Sequence, residues 1–113
     1  MENCIFCKII SGIIKSEFLY EDENMVIIRD ISPQTKIHLL MIPKTHYENV
    51  SALTDENALI LGKCIKKIGE ISESLGLKNG FRLCMNTGAD ACQSVYHLHV
   101  HIIGGDVLSG RMG

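Results

Sequence analysis

Tyr96-His97-Leu98-His99-Val100-His101-Ile102-Ile103-Gly104-Gly105 is the stretch that decides both fold and chemistry. It places three of the chain's five histidines on every second residue, a spacing that in a β-strand aims all three imidazoles at one face. Leu98, Val100 and Ile102 then point the other way, toward a hydrophobic core. Successive imidazoles on such a strand stand roughly 6.6–6.8 Å apart, close enough for two of them to touch one small anion. Thr, Lys or Ser would satisfy the alternation equally well, so histidine at all three positions calls for a chemical reason. Two mechanisms use such a row. Three neutral imidazoles can bind one zinc and activate water, although ligands usually come as a His-x-His pair plus a remote third. Alternatively, one imidazole attacks phosphorus while another holds the phosphate oxygens or passes a proton to the leaving group. Asn86-Thr87-Gly88 and Gln93-Ser94-Val95, just upstream, favour the second mechanism by supplying amide, hydroxyl and backbone N–H donors for an anion.

Outward from the row, the apolar periodicity predicts an α+β chain. Asn3 can cap a short helix through Ile5, Phe6, Ile9 and Ile10, with Gly12 as its stop. Strands are expected at about Phe18–Tyr20 and Met25–Arg29, a hairpin around the acidic turn Glu21-Asp22-Glu23-Asn24. Ser32-Pro33-Gln34 interrupts the pattern before a third strand, Ile37–Ile42, whose nearly continuous apolar character predicts a central position with both faces covered. Thr54-Asp55-Glu56 opens one long helix, with Ala58, Leu61, Ile65, Ile68 and Leu75 on its inner stripe and Gly76 as terminator. Lys63, Lys66 and Lys67 fall mainly on the solvated side. Asn79-Gly80 turns the chain into a fourth strand, Phe81–Asn86, and the histidine strand is the fifth. No βαβ rhythm, internal repeat or linker is visible, so the sheet is expected to be mostly antiparallel in one domain.

A chain of 113 residues, with 46% hydrophobic and 21% charged residues, falls in the ordinary globular range. A formal net charge of −2 gives no electrostatic case for nucleic-acid binding. No apolar run approaches membrane-spanning length and no basic leader precedes one, so the chain is expected to be soluble and cytoplasmic. Five cysteines are an odd number, which argues against a complete disulfide framework. Cys64 and Cys84 fall in apolar patterns and read as small core residues. Cys4-x-x-Cys7 differs, because that spacing lets two thiolates take adjacent corners of a tetrahedral zinc whose other ligands must come from elsewhere in the fold.

His97-Leu98-His99-Val100-His101-Ile102-Ile103 resembles the motif of the histidine-triad family. Cys4-Ile5-Phe6-Cys7-Lys8-Ile9-Ile10, Tyr20-Glu21-Asp22, Asp30-Ile31-Ser32-Pro33, Ile42-Pro43-Lys44-Thr45-His46 and Gln93-Ser94-Val95-Tyr96-His97 resemble its branch of small nucleotide-binding hydrolases, so the resemblance covers nearly the whole chain. It implies a single histidine-triad domain over residues 1–113, with a five-stranded, mostly antiparallel sheet, one short and one long helix. It also implies a homodimer whose sheets run on into each other near Phe81–Asn86 and the long helix.

The resemblance further implies a structural zinc held by Cys4, Cys7, His46 and His97. Such a closed site has no open position for water and leaves the chemistry to the remaining histidines. By the same resemblance His99 is the nucleophile, attacking the α-phosphorus of a purine nucleotide such as an AMP or GMP conjugate. The backbone carbonyl of His97 orients it, His101 serves the phosphate or the leaving group, and His38 orients the network. Asp30 corresponds to the ribose-binding acid, and Ile5, Phe6, Ile9, Ile28 and Ile31 to the apolar wall for the base. Asn86, Gln93, Ser94 and Val95 correspond to the phosphate donors. The implied activity is hydrolysis of nucleoside phosphoramidates or related AMP conjugates through a nucleotidylated histidine. A non-catalytic nucleotide-binding adaptor with the same pocket is the alternative. Three departures from the family stand out: Cys92 where glycine commonly precedes Gln-Ser-Val, Asp106 where a basic residue is common, and no Trp-Pro-Pro-Gly ending. Cys92 predicts a different loop backbone or a crowded mouth.

Overall fold

The computed structural model describes residues 3–111. Its elements run α1 (Ile5–Ser11), β1 (Tyr20–Glu21), β2 (Met25–Arg29), β3 (Ile37–Pro43), α2 (Asp55–Ile71), β4 (Phe81–Cys84) and β5 (Val100–Gly104). The strands form one antiparallel sheet in the order β1-β2-β3-β5-β4. This is the α+β architecture expected from the periodicity, with β3 at the centre.

Continuous apolar runs make sense because the sheet is covered on both faces. Met25, Ile27, Leu39, Met41, Val100 and Ile102 pack beneath α2 with Leu61, Cys64 and Ile68. Val26, Ile28, Leu40 and Ile42 face the other way, against Phe6 and Ile9 of α1. A strand with both faces buried needs no polar alternation, and β2 and β3 have none. The short helix covers only part of its face, leaving room over β5 and β4 for the histidines.

Several local details depart from expectation. The N-cap of α1 is Cys4, whose Sγ accepts from the N–H of Cys7 at 3.4 Å, not Asn3. Gly12 does end that helix, in the left-handed conformation at φ 86°. β1 begins two residues later than expected, although Leu19 N–H already pairs with Ile27 O at 2.8 Å. β4 ends at Cys84, two residues short of Asn86. α2 has its Thr54 cap but stops at Ile71. There the hydroxyls of Ser72 and Ser74 donate to the carbonyls of Gly69 and Ile71, competing for the acceptors that another helical turn would use. Ala58 is exposed, so the inner stripe begins at Leu61. Cys64 is buried as expected, whereas Cys84 is only half-buried and lines a cavity. β5 starts at Val100, because Leu98 N–H bonds Tyr47 O at 2.8 Å and diverts the residues before it.

A candidate metal centre beside a histidine face

His97 lies just before β5, fully buried, and both its ring nitrogens are committed. Nε2 lies 2.8 Å from the carbonyl oxygen of Pro43, which can only accept, so Nε2 carries the hydrogen and Nδ1 the lone pair. That lone pair faces Cys4 Sγ at 3.3 Å, Cys7 Sγ at 3.5 Å and His46 Nδ1 at 3.1 Å, and Cys7 Sγ lies 3.4 Å from His46 Nδ1. One lone pair cannot serve three neighbours by hydrogen bonding. A shared cation can. Tetrahedral zinc, at about 2.3 Å from sulfur and 2.0–2.1 Å from nitrogen, sets edges of roughly 3.5–3.6 Å between S and N and 3.3–3.4 Å between two nitrogens. The donor set Cys4, Cys7, His46 and His97 therefore fits zinc in kind, number and spacing. Burial, opposed by the Pro43 bond, lowers the His97 pKa and favours the neutral ring a metal needs. Burial pushes the Cys7 thiol up, a cost that a bound cation reverses by displacing the proton.

Three elements bring these ligands together. The start of α1 carries both cysteines, the loop after β3 carries His46, and the approach to β5 carries His97. Cys4 and His46 also line a cavity of about 590 Å³ with Asn3, Ile5, Ser94, Val95 and Tyr96.

His99 is buried, and its Nδ1 lies 2.8 Å from the carbonyl oxygen of His97. Nδ1 is therefore a donor, and in the neutral ring the lone pair is on Nε2. Phe6 of α1 meets the His99 ring edge-on at a centroid distance of 5.0 Å, and His101 follows at 5.1 Å. His101 Nδ1 contacts His38 Nε2 at 2.9 Å across β3 and β5. Burial, followed by the neighbouring His99 and His38, lowers the His101 pKa, and Asp30 opposes the shift. Asp30 Oδ2 lies 3.4 Å from His38 Nε2, while Oδ1 accepts from the N–H of Ser32 at 2.7 Å.

The remaining candidates divide into groups. Phe6, Ile9 and Ile28 form a continuous buried patch, while Ile5 is half exposed and Ile31 is 99% exposed beside Asp30. Asn86 lines a cavity of about 490 Å³ with His38, His101, Gln34, Arg82, Cys84 and Ile103, so it stands with the histidines. Ser94 and Val95 border the other cavity, beside Cys4 and His46 of the candidate metal cluster. The Gln93 side chain is buried and fully engaged. Its Nε2 donates to Glu48 O and Val95 O, and its Oε1 accepts from Asn49 Nδ2 and Gly88 N. Gln93 thus braces the loop, a role that sequence alone did not separate from ligand contact. Cys92 stands at φ 60°, ψ 35°, in the conformation that glycine adopts most easily. The loop keeps a glycine-like backbone instead of finding another.

The chain belongs to the histidine-triad (HIT) family, matching over residues 3–113 the family described as "Scavenger mRNA decapping enzyme C-term binding". It is 44% identical over 104 residues to Protein HitA of Neisseria gonorrhoeae, spanning 92% of this chain and 97% of HitA. A HIT family hydrolase from Clostridium thermocellum superposes with a TM-score of 0.93 at 42% identity, covering 99% of this chain and 98% of that one. A zinc-bound histidine-triad family protein from Mycobacterium smegmatis matches with a TM-score of 0.79 at 34% identity, covering 99% and 84%. Among the described residues, no helix is long and apolar enough to cross a membrane.

Proposed function

We propose that this chain is a purine-nucleotide-binding hydrolase that cleaves nucleoside phosphoramidates or related AMP conjugates through a nucleotidylated His99. The observation that carries the reading is the bond from His99 Nδ1–H to His97 O at 2.8 Å, which puts the lone pair of the neutral ring on Nε2, where a nucleophile needs it. Hydrolase relatives of the same fold support the reaction class.

In this reading the base lies against Phe6, Ile9 and Ile28, with Ile5 and Ile31 at the rim, and Asp30 accepts from the ribose hydroxyls. Nε2 of His99 attacks the α-phosphorus in line, the new P–N bond forming as the bond to the leaving group breaks. The adduct ring keeps its Nδ1–H, and the His97 carbonyl stabilises the charge it gains. Water then cleaves the adduct, returning the nucleotide and the free ring. His101 and Asn86 hold the phosphate, His38 orients His101, and Ser94 and Val95 approach from the metal side. Positioning and electrostatics supply most of the rate in such phosphoryl chemistry.

Zinc at Cys4, Cys7, His46 and His97 is structural in this proposal, because four protein ligands leave no position for water. The chain acts as one cytoplasmic domain and pairs as a homodimer through the unpaired edge of β4 and the outer side of α2. Sedimentation at micromolar concentration tests the pairing, and a monomer there would remove it.

Mass spectrometry after brief mixing with an adenosine phosphoramidate tests the activity. An AMP adduct on His99 is expected. Tight AMP binding with no adduct and no turnover would instead identify a nucleotide-binding adaptor.

A further inference from the structure

His38 Nε2 and His101 Nδ1 stand 2.9 Å apart, and that contact alone does not say which nitrogen carries the hydrogen. The answer lies one bond further out. His38 Nδ1 sits 3.0 Å from the main-chain nitrogen of Gln34, in the loop between β2 and β3, and an amide N–H can only donate. His38 Nδ1 therefore holds the lone pair and its hydrogen is on Nε2. His38 donates, His101 accepts at Nδ1, and the single hydrogen of the neutral His101 ring is left on Nε2. Asp30 Oδ2 agrees with this direction, lying 3.4 Å from His38 Nε2, where a carboxylate finds a donor, and 3.9 Å from His101 Nδ1.

We propose that the main-chain amide of Gln34 is a positioning group of this site, fixing His38, and through it His101, in the tautomer that presents His101 Nε2–H to the bound phosphate. The inference rests on the function proposed above for its ligand, while the tautomer itself is a property of the free protein.

The loop is built to hold that amide still. Asp30 Oδ1 ties down Ser32 N–H at 2.7 Å on one side. On the other, Thr35 Oγ1 donates to Ile37 O at 2.6 Å, and Lys36 N–H donates to Asp106 Oδ2 at 2.6 Å. Asp106, a departure from the family pattern, thereby acquires a role as anchor of this loop. The same amide rules against a metal at Asp30, His38 and His101, whose ligand atoms cluster within 4.8 Å. Ligation there by His38 Nε2 would require a lone pair on that atom, leaving Nδ1–H and Gln34 N–H as two donors face to face.

Nitrogen-15 NMR of the imidazoles in the zinc-loaded protein without nucleotide tests the assignment. His38 and His101 should each show an unprotonated Nδ1 and a protonated Nε2, with a coupling across the hydrogen bond between Gln34 N and His38 Nδ1. Gln34→Ala keeps the N–H and should retain all three signatures. Gln34→Pro deletes the N–H and should lose the coupling, mix the His38 tautomers and lower kcat about tenfold with a smaller change in KM. A parent spectrum with His38 protonated on Nδ1, or parent tautomers persisting in Gln34→Pro, would overturn the proposal. Should Gln34→Pro fail to fold, the parent and Gln34→Ala spectra decide alone. Expected tautomers together with no adduct on His99 would remove the proposed function and leave the tautomer assignment standing.

Discussion

Replacing Cys7 with Ser should cost this protein much of its thermal stability before it touches the chemistry. The two cysteines, His46 and His97 tie the start of α1 to the loop after β3 and to the approach to β5. Apart from that tie, α1 is a seven-residue helix with only Phe6 and Ile9 buried, too short to be stable by itself. Structural zinc contributes about 10–16 kcal/mol apparent in small peptides at neutral pH, so an even share per ligand is roughly 2.5–4 kcal/mol. For a chain between the size classes whose melting point moves by about 4 °C per kcal/mol, that share corresponds to roughly 10–16 °C. The assay is a melting curve by circular dichroism, with metal content measured on the same sample. Parent protein should hold one zinc per chain and Cys7→Ser markedly less. Cys92→Ser, altering an exposed thiol outside the cluster, is the control and should melt with the parent. A Cys7→Ser protein that melts at the parent temperature, or parent protein that purifies metal-free with an unchanged melt, would refute the zinc assignment.

Three further outcomes follow. His99→Ala should reduce turnover by several powers of ten, on the order of what removal of a covalent nucleophile costs, while AMP affinity by calorimetry stays within about tenfold; His101→Ala should slow turnover by roughly 10²–10⁴-fold. Parent-like turnover in His99→Ala, or an adduct mapped to His101, would reverse these roles. Because burial lowers the His101 pKa, folding favours the neutral ring. Stability is then full above the unfolded value, about 6.5, and falls as pH drops below it toward the lower folded value. Denaturant melts between pH 7 and 5 should show that slope, and His101→Gln should flatten it; an equal slope in both would discount the shift. Cys92→Gly should relieve the left-handed backbone at φ 60°, a cost of about 1–2 kcal/mol, against about 0.4–1 kcal/mol of added chain freedom when unfolded. A net gain of up to about 1.5 kcal/mol in denaturant melts is expected, and a loss would mean that the thiol makes compensating contacts.

The strand order of this sheet could not be read directly from periodicity, but its central member could. Ile37–Pro43 is apolar apart from His38 because β2 and β5 pair with its edges and packing against the two helices covers its faces. Half of the candidate metal cluster was legible in the Cys4-x-x-Cys7 spacing, whereas His46 and His97, far apart in sequence, were pointed to only by the family resemblance. Roles carried by the main chain were not legible. The Pro43 and His97 carbonyls and the Gln34 amide set three imidazole tautomers, yet every residue except proline offers the same N–H and every residue the same C=O. Gln93 misleads for a related reason, because an amide side chain suits an anion as well as it suits the loop carbonyls it actually meets. The strand boundary at Val100 was hidden too, since the alternation from His97 onward continues through residues whose backbone bonds leave the sheet.

His97 joins the candidate metal centre to the histidine face. Its Nδ1 belongs to the cysteine cluster, its Nε2–H is anchored on Pro43, and its own carbonyl accepts the His99 Nδ1–H. The Cys/His cluster therefore adjoins the peptide group whose carbonyl sets the tautomer of His99. A histidine row of period two is then more than three imidazoles aimed at one ligand. The first ring fixes its own backbone, that backbone sets the tautomer of the second, and the third is set independently from β3 through His38 and Gln34. Two separate anchors, the His97 carbonyl and the Gln34 amide, thus set the hydrogen positions of His99 and His101, and in the proposed function these rings offer a lone pair and an N–H to one phosphoryl group. In the proposed function, a metal with no open coordination position would still matter to turnover through this arrangement. It would hold the His97 carbonyl in place, and that carbonyl in turn holds the His99 ring.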